Sequence, residues 1–174
     1  MNEKFDYAGT SRNQYVNAMY NSQCSMVIDN FLYLGSDIVA KDLPKLKENG
    51  ITHVINCAAD YSANYHISDG IAYLPFHLKD HVRENIECCF YEVIDFMEQA
   101  KKEGGRVYVH CVQGVSRSTT MCLCYMIFNE KISLEDGLKN NCSLLRPVIF
   151  CSMLFSILLF KLFSIKYTYT QAQE

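Results

Sequence analysis

His110-Cys111-Val112-Gln113-Gly114-Val115-Ser116-Arg117-Ser118 is the stretch on which the fold turns. Before it runs Gly105-Arg106-Val107-Tyr108-Val109, β-branched and aromatic, which predicts a buried strand. After it, Thr119 to Phe128 is apolar with few breakers and predicts a helix. A strand–loop–helix junction aims several backbone N–H groups, and the positive end of the helix dipole, at one point. An anion seated there needs no other recruiter, and a phosphate fits best. Val112, Gln113, Gly114, Val115, Ser116 and Arg117 are therefore the candidate phosphate-binding residues.

The side chains suit the same anion. A thiol near a helix N-terminus and beside a guanidinium has a lowered pKa, so Cys111 is expected to be largely thiolate at neutral pH. A thiolate is a strong nucleophile that can form a covalent intermediate. Arg117 can hold two phosphate oxygens bidentately. Gly114 lets the backbone turn tightly and approach the ligand. Ser118 can donate its hydroxyl to the thiolate and ease its departure as a leaving group. His110 is expected to order the loop by hydrogen bonding rather than to move protons.

His-Cys, five residues, then Arg-Ser resembles the signature of the cysteine-dependent protein tyrosine phosphatases. With Gly114 and Ser116-Arg117-Ser118 it is most similar to the dual-specificity branch, and within it to the kinase-phosphatase catalytic domains. The resemblance covers about residues 24–147, including Phe31-Leu32-Tyr33-Leu34-Gly35-Ser36 and Gly50-Ile51-Thr52-His53-Val54-Ile55-Asn56. It implies an enzyme that needs no cofactor or metal. Breaking a P–O bond to a poor leaving group also needs a proton donor. Asp80 lies in a loop that follows a strand, where the resemblance places the family's general acid, so that role carries over to Asp80. Lys79, His81 and Arg83 add positive charge nearby.

The resemblance implies phosphoprotein substrates carrying phosphotyrosine, phosphothreonine or phosphoserine, with a mitogen-activated protein kinase as a guessed partner. Inositol-lipid relatives often carry basic residues inside the loop; Val112 to Ser116 include none, which favours a singly phosphorylated side chain. The alternative is a phosphate-binding module without turnover, against which the retention of Cys111, Arg117 and Asp80 argues.

The totals bound the rest. A chain of 174 residues suffices for one domain with a single substantial core. A net charge of −3 gives no reason to expect nucleic acid as a partner. Nine cysteines, an odd number set mostly in apolar runs without zinc-site spacing or a signal peptide, suggest a reduced, cytoplasmic or nuclear chain. One of them could pair reversibly with Cys111 under oxidation, though sequence does not say which.

Residues 1–23 are polar with scattered tyrosines and are read as a tail; the separate kinase-docking domain of some relatives is not expected. Ser25 to Leu34 predicts a hairpin around Asp29-Asn30. Ser36 to Asn49 predicts one or two short helices, with Pro44 near a start and Asn49-Gly50 as a stop. Ile51 to Asn56 and Ile71 to Phe76 predict strands, separated by an irregular segment. Asn85 to Glu103 predicts a packing helix, with Ile86, Cys89, Phe90, Val93, Ile94, Met97 and Ala100 at three- and four-residue steps, Asn85 as cap and Gly104-Gly105 as stop. A further helix is expected from Ser133 to about Asn141. Strands alternating with helices imply an α/β domain with a central, mainly parallel sheet covered on both faces. The catalytic loop then sits at the carboxyl end of a central strand.

The end departs from the family pattern. After Arg146-Pro147 the usual turn and amphipathic helix are missing, and residues 148–174 open with a nearly unbroken apolar run to Phe160. A core helix with an unusual outer face is the first reading. Membrane contact by this stretch is the second, and Lys161 argues against it. The third is an ending foreign to the family, such as a misread gene end, which would leave the domain marginally stable.

Overall fold

The structure, a computed structural model, describes residues 22–130 except Val82. Residues 1–21 of the expected tail, the helix from Ser133 and the apolar ending lie outside the described residues.

The chain enters through a hairpin of β1 (Ser25–Ile28) and β2 (Leu32–Ser36), paired antiparallel. Asn30 sits at its turn with φ 52°, a left-handed conformation that asparagine tolerates better than most residues. Two short helices follow, α1 (Asp37–Lys41) and α2 (Leu43–Glu48). Ser36 caps the first, its Oγ accepting the Ile38 N–H at 3.1 Å; Asp42 caps the second through the Lys45 N–H, also at 3.1 Å. Pro44 lies in the first turn of α2, where its missing N–H has no partner to lose.

Strands β3 (His53–Asn56) and β4 (Ala72–Pro75) are joined by an irregular segment with one 3₁₀ turn, Ile67–Asp69. The long helix differs from expectation at its start. A 3₁₀ turn, Ile86–Cys89, leads into α3 (Phe90–Lys102), and the Asn85 side chain makes no capping bond. The tighter turn brings positions i and i+3 onto one side, so Ile86 and Cys89 are both buried there. All seven expected packing positions are buried, and Gly104, with φ 68°, closes the helix.

Strand β5 (Val107–Cys111) and helix α4 (Arg117–Glu130) complete the described fold. Both boundaries correct the sequence reading. The strand runs on to Cys111 because β2 and β3 pair with it on either side: Ser36 stands opposite Cys111, and Asn56 opposite His110. The helix starts at Arg117, so Arg117 and Ser118 occupy its first turn rather than the end of the loop.

The five strands lie in the order β1-β2-β5-β3-β4, all neighbours parallel except the hairpin. This is the expected α/β domain with a mainly parallel sheet and helices on both faces. Side chains alternate between two cores. Leu32, Leu34, Ile55, Val107, Val109 and Cys111 face the layer of α3 and α4. Tyr33, Val54 and Tyr108 face α1 and α2, where Val39, Ala40 and Leu46 pack. Burial on both sides explains why β5 reads as an unbroken apolar run. The chain moves to opposite sides of β5 through β2 and β3, so the crevice beyond the carboxyl end of β5 is the switch point of the sheet.

Candidate active site

Residues 112–116 cross that crevice from the end of β5 to the start of α4. The crossing is tight because Gly114 has φ 75°, and a Cβ there would lie 2.5 Å from the Gly35 carbonyl oxygen. The loop is anchored at its first residue by the Asp37 N–H, which donates to the Val112 carbonyl at 3.2 Å. Its far end is tied to the helix by Thr119 Oγ1 donating to the Val115 carbonyl (2.9 Å) and Thr120 Oγ1 donating to that of Ser116 (3.1 Å). Beneath it, the Tyr108 hydroxyl donates to the Ser36 carbonyl at 2.8 Å, so the end of β2 is pinned to β5.

Cys111 is almost wholly buried, yet its sulfur receives donors. The Gly114 N–H lies 3.2 Å from Sγ and the Ser118 hydroxyl 3.3 Å. Burial opposes ionisation, but the Ser118 hydroxyl and the N–H groups of Ser118, Val115 and Gly114 outweigh it and hold the thiol below its ordinary value. The other buried thiols go the opposite way. Cys57 is raised well above its ordinary value by burial first and by the neighbouring Cys111 second. Its N–H donates to the His110 carbonyl at 2.8 Å, beside the end of β5, and the Cys122 thiol is likewise raised by burial first and by Cys111 second.

Arg117 is buried and directed by protein acceptors. Its Nη1 donates to the Leu78 carbonyl at 2.9 Å, and its Nη2 stands 3.5 Å from a carboxylate oxygen of Asp80. Its Nε–H is buried without a hydrogen-bond partner among the described residues. The Asp80 carboxylate, more than half exposed, is thus brought from the loop after β4 to the guanidinium. His110 lies in the other core, stacked on Tyr108, with Nδ1 3.4 Å from the Cys111 carbonyl oxygen. Burial lowers its pKa to about 4, which keeps it neutral.

The structure therefore brings Cys111, Ser118, Arg117 and Asp80 together around the loop 112–116. Lys79, His81 and Arg83 are exposed beside them, and the Arg83 N–H donates to His81 Nδ1 at 3.1 Å. Three supporting residues escaped the sequence reading. Asp37 joins the loop to its surroundings: its carboxylate accepts from Tyr65 (2.9 Å) and from Ser62, and pairs with Lys41 at 2.5 Å. Only the Asp37–Lys41 spacing of one helical turn was visible in the sequence. Asn56 organises the segment after β3, donating to the Ser62 carbonyl at 2.7 Å and to Asn64 at 3.0 Å, while its Oδ1 accepts the Ala58 N–H. Leu78 acts through its backbone alone, which no sequence motif records.

A buried thiol held below its ordinary pKa by hydrogen-bond donors, at the carboxyl end of a central parallel strand and with an arginine from the following helix, defines an α/β domain with a cysteine-centred site. The chain belongs to the dual specificity phosphatase catalytic-domain family, whose model matches residues 32–155. Over 122 residues it is 40% identical to the protein-tyrosine-phosphatase MKP1 of Arabidopsis thaliana, covering 70% of this chain and 15% of that protein. Over 121 residues it is 35% identical to dual specificity protein phosphatase 1 of Homo sapiens, covering 70% of this chain and 32% of that protein. The crystal structure of DUSP15 matches it with a TM-score of 0.62 at 32% identity, over 67% of this chain and 72% of that one. The chain thus spans less than a third of the length of either curated relative.

Proposed function

We propose that the chain is a protein phosphatase that hydrolyses phosphotyrosine, phosphothreonine or phosphoserine in proteins through a phosphocysteine intermediate. The observation that carries this reading is the Cys111 sulfur, buried yet held toward thiolate by Ser118 and three backbone N–H groups. Such a group has no use in a static core, where a neutral thiol is the stable form.

The mechanism follows from the placement. The Cys111 thiolate attacks phosphorus, and the bond to the substrate oxygen breaks. Asp80 gives that oxygen its proton. The loop N–H groups and the Arg117 guanidinium, whose buried Nε–H has no partner among the described residues, hold the equatorial oxygens as charge builds on them. Water then attacks the phosphocysteine with Asp80 as base, and Ser118 donates to the departing thiolate. No basic residue lies in the loop 112–116, which supports a singly phosphorylated side chain as substrate. The kinase-phosphatase resemblance supports a mitogen-activated protein kinase as its bearer. A reducing compartment, the cytoplasm or nucleus, is the matching location, since the thiolate must stay reduced.

The test is hydrolysis of a small aryl phosphate by the full chain in EDTA. Turnover is expected, and Cys111→Ser should abolish it. Asp80→Asn should slow a substrate with a poor leaving group by about 10²-fold or more. A folded chain with no turnover that still binds a phosphopeptide would replace the enzyme by a phosphate-binding module.

A further inference from the structure

Four exposed large apolar side chains lie on the loop 112–116 or on stretches linked to it by hydrogen bonds. Val112 and Val115, which belong to the loop, are 42% and 36% exposed. Ile38 in α1 is 57% exposed and Tyr61, in the segment after β3, 69%. One residue, Asp37, joins the three stretches that carry them, through its backbone N–H on one side and its carboxylate on the other. Asp37, next to Ile38, donates its N–H to the Val112 carbonyl. Its carboxylate accepts the hydroxyls of Ser62, next to Tyr61, and of Tyr65. The Tyr61 backbone is fixed separately, its N–H donating to the Ala58 carbonyl at 2.8 Å. These apolar groups therefore stand on anchored backbone. Exposed apolar groups collected at one place mark a binding surface.

We propose that Ile38 and Tyr61, with Val112 and Val115, form an apolar seat for the side chain next to the phosphorylated residue of a polypeptide substrate. This rests on the phosphatase reading and adds to it a sequence preference. The occupant follows from position. A polypeptide whose phosphate lies above Cys111 must pass over Val112 and Val115, and its next residue is only about 3.8 Å along the chain. An apolar neighbour removes these side chains from water, whereas a charged neighbour must be desolvated against them. The exposed Lys79, His81 and Arg83 make the opposite preference, for an acidic neighbour, the competing outcome.

The experiment compares two phosphotyrosine peptides of equal length, one with Leu and one with Glu on both sides of the phosphotyrosine, beside p-nitrophenyl phosphate. The full chain should favour the Leu peptide on the order of tenfold in kcat/KM. The double variant Ile38→Ser, Tyr61→Ser should lose that preference while hydrolysing p-nitrophenyl phosphate at the unchanged rate. Equal rates, a preference for Glu, or a Leu preference that survives in the double variant would overturn the seat. Failure to hydrolyse p-nitrophenyl phosphate would instead overturn the phosphatase reading. The seat is then judged by the affinities of the two peptides for Cys111→Ser, with and without the two rim substitutions. There, a Leu preference lost in the rim variant supports it, and equal affinities overturn it.

Discussion

Cys111 and His110 show how the same strand end treats two titratable neighbours differently. Ser118 donates to the sulfur of Cys111, so removing its hydroxyl removes a hydrogen bond to a charge. In Ser118→Ala the pH midpoint of alkylation of Cys111 by iodoacetamide should move upward. Aryl phosphate turnover should fall about tenfold, because breakdown of the proposed phosphocysteine would slow. His110 is kept neutral by burial, with a pKa of about 4 against an ordinary 6.5. Between those values the unfolded chain takes up a proton that the folded chain refuses, so stability must fall as pH falls from 6.5 to 4. The loss should total about 3 kcal/mol, read from urea unfolding at a series of pH values, and should be absent in His110→Asn.

At the scale of elements, α3 supplies packing without chemistry. Its Phe90, Val93, Ile94, Met97 and Ala100 are fully buried against the sheet. Met97→Ala should cost about 2–5 kcal/mol, lowering the urea midpoint with little change in slope. This helix was legible because its pattern is local: three- and four-residue steps and a closing Gly104. The hairpin was legible for the same reason, through Asn30. The junctions around the catalytic loop were less so. That β5 reaches Cys111 depends on Ser36 and Asn56 pairing from distant parts of the chain. That the helix claims Arg117 and Ser118 depends on a loop shortened by Gly114 against Gly35. Local propensity sees neither partner. It also misread the start of α3, where burial of Ile86 and Cys89 selects a 3₁₀ turn over a cap by Asn85.

At the scale of the molecule, the site is assembled from four regions: the end of β2 with α1, the segment after β3, the loop after β4, and the β5–α4 junction. The motif residues Cys111, Arg117 and Ser118 were legible because they share one short stretch, and Asp80 through the family resemblance. Asp37, Asn56 and the Leu78 carbonyl were not, because their partners are fixed only when the sheet closes. An anion that binds the closed site must stabilise the whole fold by mass action. Inorganic phosphate at ten times its dissociation constant should add about 1.4 kcal/mol, seen as a raised melting temperature. Arg117→Ala should weaken this response more than Asp80→Asn does, since only the arginine attracts the anion.

His110 and Cys111, though adjacent, point into different cores: the first stacks on Tyr108 beside α1 and α2, the second lies against α3 and α4. The peptide bond between them is a seam common to both halves of the protein. A saturation map of activity should therefore show no tolerant side of the sheet. Damage in either layer reaches Cys111, the proposed nucleophile, through this shared link, and inactivating substitutions should scatter across both layers rather than cluster on one side of the sheet.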